Sequence, residues 1–156
     1  MNERQILSFE IYNINHDVIL AQTDTTIGFL SKDSISINHK KGASLNKLLL
    51  KEVASLSYIP HRIPVSMRNI VRRAKRTSFI LPNKASFRVV SSGLHSEFLR
   101  GFTWLYSSSA NPTKSNFSMN FAKSKSDIIV LDKRGLFDSK SSSILKLGLY
   151  NIKKVR

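Results

Sequence analysis

Apolar, β-branched runs alternate with short helical patterns along the whole 156-residue chain. The runs predict strands at Ile6–Tyr12, Val18–Gln22, Lys47–Leu50, Thr77–Leu81, Phe87–Val90, Thr103–Tyr106, Asp127–Leu131 and Ser143–Leu147. Apolar residues at three- and four-residue spacing predict helices at Ser34–His39, Val65–Lys75, His95–Gly101 and Ser118–Ser124. The Val65–Lys75 helix is the best defined: Pro64 and Ser66 mark its start, and Met67, Ile70, Val71 and Ala74 form one apolar face. Strands interleaved with short helices imply an α/β fold with a substantial mixed sheet. No repeat and no long low-complexity linker divides the chain, so residues 1–156 read as a single domain; the serine runs at 107–109 and 141–143 abut apolar segments.

A hydrophobic content of 41% is enough for one packed core, and nine Phe, four Tyr and one Trp argue against disorder over the whole chain. With no cysteine, disulfides, thiolate metal sites and cysteine nucleophiles are excluded. No apolar run approaches the roughly 18–20 residues that span a bilayer. Residues 1–10 have no apolar signal core, so a soluble cytoplasmic protein with no membrane association is expected.

Charge changes the picture. The formal net charge is +15, and no acidic residue lies between Glu52 and Glu97, where Arg62, Arg68, Arg72, Arg73, Lys75, Arg76, Lys84 and Arg88 all occur. Such a field attracts polyanions; its plainer reading is a well-solvated, soluble surface. On the Val65–Lys75 helix, Arg68, Arg72, Lys75 and Arg76 fall away from the apolar face with Arg73 nearby, which makes these five the candidate RNA contacts.

Much familiar chemistry is missing. The six glycines are scattered and form neither a P-loop nor a dinucleotide fingerprint. His16, His39, His61 and His95 make no metal-ligand pair at helical spacing, so no metal-binding residues are assigned. No serine lies in a nucleophile elbow. An enzyme with this inventory would work by positioning and charge neutralisation.

Three segments, in order, carry a resemblance. Ile19–Leu30 (ILAQTDTTIGFL) ends a strand in a hydroxyl-rich turn; Ser107-Ser108-Ser109-Ala110-Asn111-Pro112 follows an apolar strand; and Asp127–Asp132 (DIIVLD) precedes Gly135 and Ser141–Leu147 (SSSILKL). Together they resemble the YrdC-like threonylcarbamoyl-AMP synthases, whose pattern runs Pro-Thr-Asp/Glu-Thr-x-Tyr-Gly-Leu, Lys-x-Arg, Ser-Thr-Ser-Ala-Asn and a late Ser-Thr-Val/Ile-Val. The resemblance spans about Ile19 to Leu147. It implies a twisted mixed sheet flanked by short helices, with a concave basic pocket. It also implies an enzyme that joins L-threonine, bicarbonate and ATP into threonylcarbamoyl-AMP and pyrophosphate for tRNA modification. Lys41 and Arg88 would be catalytic, and Thr23, Thr25 and Arg88 would hold threonine. Lys41, Lys47, Ser107, Ser109, Asn111, Ser142 and Ser143 would meet ATP, with Mg²⁺. Transfer proteins and tRNA or double-stranded RNA would be partners.

Departures from the pattern are equally plain. Ala43 stands at the arginine of Lys-x-Arg, Gln22 at the proline, Ile27 at the tyrosine and Lys114 where a glycine commonly follows Ala-Asn. They keep open an alternative, a catalytically weakened RNA-binding protein on the same fold. Residue by residue, Thr23, Asp24 and Thr25 fit an ordinary turn, Lys41 and Lys47 fit a surface, and Arg88 fits an outward-facing strand position.

Overall fold

β-Branched and aromatic residues do settle into strands, and one mixed sheet gathers them. The computed structural model describes residues 15–59 and 61–156; the strand expected at Ile6–Tyr12 lies outside the described residues. The strands are β1 (Ile19–Gln22), β2 (Ile27–Ser31), β3 (Leu50–Val53), β4 (Thr77–Ile80), β5 (Ser86–Val89), β6 (Trp104–Ser109), β7 (Ile128–Ile129), β8 (Ser143–Leu147) and β9 (Ile152–Lys154). Their spatial order is β7-β1-β2-β6-β3-β5-β4-β8-β9. The β1–β7, β3–β5 and β4–β8 pairs are parallel and the others antiparallel. The helices are α1 (Ser34–Lys41), α2 (Val65–Arg73), α3 (Leu94–Arg100) and α4 (Met119–Lys125).

Local chemistry sets the ends of α1. Asp33 caps its start, accepting from Ile35 N at 3.0 Å and Ser36 Oγ at 2.7 Å. Gly42, at φ +65°, closes its end, so the helix runs two residues past the expected His39 and carries Lys41 on its last turn. Asn38 then pins the following loop, donating through Nδ2 to the carbonyls of Leu45 and Lys47.

Alternation along the strands assigns the two faces of the sheet. On one face α2 buries Met67 and Val71 against Val53, Phe79 and Phe87, while Ile37 of α1 and Ala122 of α4 pack with Leu20 and Phe29. On the other, Leu99 of α3 packs with Leu30, Val90 and Leu105. Arg88 follows Phe87 and therefore points to the α3 face.

Four expectations need correction. Strand β3 starts at Leu50 rather than ending there: Leu45 and Leu48 are exposed, and the strand runs through Lys51 and the fully buried Glu52. The Ile27–Ser31 segment, to which the sequence assigns no strand, is a completely buried one. β9, with Lys153 and Lys154, was not expected because charged residues mask an edge strand. The Val65–Lys75 helix ends at Arg73, where Ala74 turns to extended backbone.

Candidate functional site

The β1–β2 turn opens the site. Thr23 Oγ1 donates to Thr26 O at 2.6 Å and accepts from Thr25 N at 3.1 Å, so its hydroxyl closes the turn from inside. The 132–139 segment packs over it. Arg134 donates to the carbonyls of Gln22 and Thr23, and Thr26 Oγ1 donates to Asp138. Gly28 brings β2 close to this turn and to β6: a Cβ there would stand 3.0 Å from Thr23 Cγ2 and 3.3 Å from Ser108 O.

Between this turn, the end of β6 and strands β4, β5 and β8 lies a cavity of about 340 Å³. Hydroxyls dominate its wall: Thr25, Thr26, Ser78, Ser86, Ser107, Ser108, Ser109, Ser141 and Ser142. Three cations, Lys47, Arg88 and Arg156, share the lining, and no acidic residue does. A water-accessible wall of this composition suits an anion with several oxygens. A larger hollow of about 410 Å³ opens on the opposite, Phe87 face and shares the 47–49 strap. Its wall is mainly apolar, with Leu45, Val53, Ile59 and Phe87, so the hydroxyl-lined cavity is the better candidate for chemistry.

Arg88 is only 4% exposed and is held from several sides. Its Nη2 donates to Glu52, Nε and Nη2 reach Asp24 Oδ1 at 3.1 and 3.0 Å, and Nη1 donates to Ser78 Oγ at 3.2 Å. His95 Nε2 donates to the other Glu52 oxygen. Burial pushes the Glu52 carboxyl up, but the Arg88 guanidinium and the His95 ring outweigh it and hold that carboxyl well below its usual range. Burial raises the Asp24 carboxyl against the lowering pull of Arg88, and the Glu52 charge raises it further.

Asp24, Glu52 and His95 offer three ligand atoms within 4.8 Å of one another. A divalent ion does not fit there, because the Arg88 guanidinium already supplies the cluster's cation.

Lys41 approaches the end of β6 from α1. Its ammonium donates to Ser108 Oγ at 2.8 Å and to the Ser109 carbonyl at 2.5 Å, while the residue stays 7% exposed. Burial, with Lys47 nearby, lowers its pKa to about 8.

The structure thus brings Thr25, Lys47, Arg88, Ser107, Ser109 and Ser142 of the expected site together on one cavity wall. It does not bring all of them. Thr23 is buried in the turn, Lys41 stands behind the wall, and Ser143 is an exposed residue of β8 whose N–H donates to Arg76 O. Asn111 spends its amide on the carbonyls of Pro112 and Ser115. Arg68, Arg72, Arg73 and Lys75 are exposed on and just beyond α2, which packs on the Phe87 face and not beside the cavity mouth. Arg76, past the helix end, donates to Lys140 O next to Ser141.

Sequence reasoning missed Asp24, Glu52 and His95, which no spacing rule connects, and Arg156, whose Nε donates to Ser142 O. No acid lies between Glu52 and Glu97 in the sequence, so the partners of Arg88 come from further off, from β3 and from the β1–β2 turn.

No family model and no curated protein matches the sequence. Solved structures are similar in shape. P. abyssi Sua5 complexed with L-threonine shares 14% identity at a TM-score of 0.75, covering 100% of this chain and 55% of its own. E. coli YciO shares 15% identity at a TM-score of 0.73, with 100% and 90% covered. Full-length HypF in its phosphate- and nucleotide-bound form shares 8% at 0.73, with 100% and 29% covered. The chain spans about half the length of the Sua5 chains it matches. Among the described residues no helix is long and apolar enough to cross a membrane. A chain whose described residues form an α/β unit with a nine-stranded mixed sheet, and which superposes on Sua5 and YciO, has the YrdC-like fold.

Proposed function

We propose that this chain is a nucleotidyltransferase that binds ATP and L-threonine in the hydroxyl-lined cavity and forms threonylcarbamoyl-AMP, releasing pyrophosphate. One observation carries the reading: a cavity lined by Lys47, Arg88, Arg156 and nine hydroxyl side chains, with no acidic residue among the described lining, lies against strands of a YrdC-like sheet. The L-threonine complex of Sua5, a structure of similar fold, supports it.

The chemistry asks little of the protein beyond placement. Threonine and bicarbonate condense to a carbamate with loss of water; a carbamate oxygen attacks the α-phosphorus, and pyrophosphate leaves. No protein nucleophile takes part, and the rate comes from holding two anions together and stabilising charge on the phosphoryl oxygens. Lys47 and Arg156 suit the phosphates, with Lys41 adding its field from behind Ser108 and Ser109. Thr25, Ser107, Ser109 and Ser142 are short donors that do not crowd the nucleotide, and the Arg88 guanidinium suits the carboxylate or carbamate. Mg²⁺ finds no carboxylate on the cavity wall and would be held by the nucleotide's own phosphates; its chemistry would be charge neutralisation there.

The product would serve tRNA modification through a transfer protein in the cytoplasm. A second reading, RNA binding with weakened catalysis, draws on the exposed Arg68, Arg72, Arg73, Lys75 and Arg76 and on Ala43. A pyrophosphate-release assay on the purified chain separates the two. The expected outcome is release that requires threonine, bicarbonate and ATP together; no threonine-dependent release alongside salt-sensitive RNA binding would favour the second reading.

A further inference from the structure

Arg88 has five N–H donors, and the structure shows how they are used. Asp24 Oδ1 takes Nε at 3.1 Å and Nη2 at 3.0 Å, Glu52 takes Nη2 from its other side, and Ser78 takes one Nη1 proton at 3.2 Å. The Nε–Nη2 side is one of the edges on which a guanidinium can grip a carboxylate with two parallel bonds. Asp24 already sits on it.

The two carboxylates differ in how firmly they are fixed. Glu52 is fully buried, and its second oxygen is bound by His95. Asp24 lies on the β1–β2 turn with its side chain 16% exposed, and among the described residues its Oδ2 has no hydrogen-bond partner. The turn does not depend on it: Thr23 Oγ1, not the Asp24 carboxylate, bonds Thr26 O and Thr25 N. Asp24 can therefore swing off Arg88 while the turn stays closed and Glu52 keeps the guanidinium in place.

We propose that Asp24 is a resident carboxylate that competes with small carboxylate ligands for Arg88, and so sets how tightly the cavity holds them. The rise in the Asp24 pKa, from burial first, agrees with a charge held less firmly than that of Glu52. Arg88 is in this sense an occupied site, released only to a ligand that binds it better than Asp24 does. The inference concerns the cavity of the proposed function but does not need threonine to be the ligand.

Acetate, a carboxylate and nothing more, is the probe. The full chain is titrated with it while the Arg88 Nε–H resonance is followed by NMR, with Arg88→Gln identifying the signal. Asp24→Asn should bind acetate roughly tenfold tighter than the unsubstituted chain, as expected when a charged hydrogen-bond competitor is removed. Asp24→Ser should move affinity in the same direction, which covers the case in which the asparagine amide itself bonds Arg88. Unchanged or weaker acetate binding in both variants overturns the proposal. A parallel titration with L-threonine separates the two readings: tighter acetate without any threonine binding sinks the threonine assignment and leaves Asp24 in its role.

Discussion

Arg88 and Lys41 are both almost completely buried beside the same cavity, yet they are accommodated in opposite ways. Arg88 lies against Glu52 and Asp24, two full negative charges, with Ser78 on its remaining edge. Lys41 has only dipoles as hydrogen-bond partners, the Ser108 hydroxyl and the Ser109 carbonyl, and the like charge of Lys47 acts on it. Burying a cation against carboxylates keeps it ionised but ties its charge to the fold; burying one against dipoles leaves it easily deprotonated and its charge uncommitted. An anion entering the cavity therefore gains little net charge from the Arg88 cluster and more from the Lys41 end. Arg88 orients, and Lys41 with Lys47 attracts.

The largest effect should come from breaking the compensated cation. Arg88→Met keeps much of the side-chain volume but leaves Glu52 fully buried without its guanidinium, with His95 and the Ser107 hydroxyl as its remaining partners. Loss of one member of a buried pair costs about 3–5 kcal/mol, so chemical denaturation should show a large drop in midpoint. Lys41→Met should cost far less, because it removes a poorly solvated charge along with its bonds. Equal losses in the two variants would erase the distinction between the cations.

How much of this was legible beforehand differs by level. The apolar period of α2 and the runs of β4, β5 and β6 were legible, because each element's own residues decide it. β3 was displaced because Leu48-Leu49-Leu50 reads locally as a strand, whereas Lys51-Glu52 becomes one only when Arg88 and His95 cover the carboxylate. β2 was hidden by Gly28, which is there for the close approach of Thr23 and Ser108 rather than for strand propensity. At the site, the hydroxyl segments were legible as ordered motifs, while the Asp24–Arg88–Glu52–His95 cluster was not: its members lie on four separate elements, and no periodicity connects them. Asn111 was misplaced because its amide is consumed by its own loop.

A middle-sized effect tests how closely the turn that carries Asp24 is fitted to β6. Gly28→Ala introduces a methyl 3.0 Å from Thr23 Cγ2 and 3.3 Å from a main-chain oxygen, Ser108 O. Thr23 cannot rotate away without losing its bonds to Thr26 O and Thr25 N, and the Ser108 carbonyl belongs to the β6 backbone. Overpacking of this kind costs typically about 1–3 kcal/mol. Thermal unfolding should register that loss, and the displaced turn should loosen Asp24 from Arg88, so the Arg88 Nε–H signal should shift as well. A stable variant with an unmoved Arg88 signal would mean that the turn has slack to spare.

The smallest effect sharpens the comparison most, because binding and stability should move in opposite directions. Lys41 has its pKa lowered to about 8, by burial first and by Lys47 second. Below about pH 8 its ammonium is present in the folded protein; above it the charge is lost, although an unfolded chain would keep it until near the ordinary lysine value of 10.5. Between those limits the unfolded state binds more protons than the folded one, so folding stability contributed by Lys41 rises with pH. Anion binding should fall over the same range, since a unit charge at a partly solvated site near the cavity is worth about 1 kcal/mol, or roughly fivefold in affinity. Sulfate, whose charge is constant from pH 7 to 10, is the probe for calorimetric titration, with urea unfolding followed in parallel. Lys41→Gln should flatten both curves near pH 8. A sulfate affinity that holds constant to pH 10 in the unsubstituted chain would show that Lys41 does not supply the cavity's charge, and would pass that role to Lys47 and Arg156.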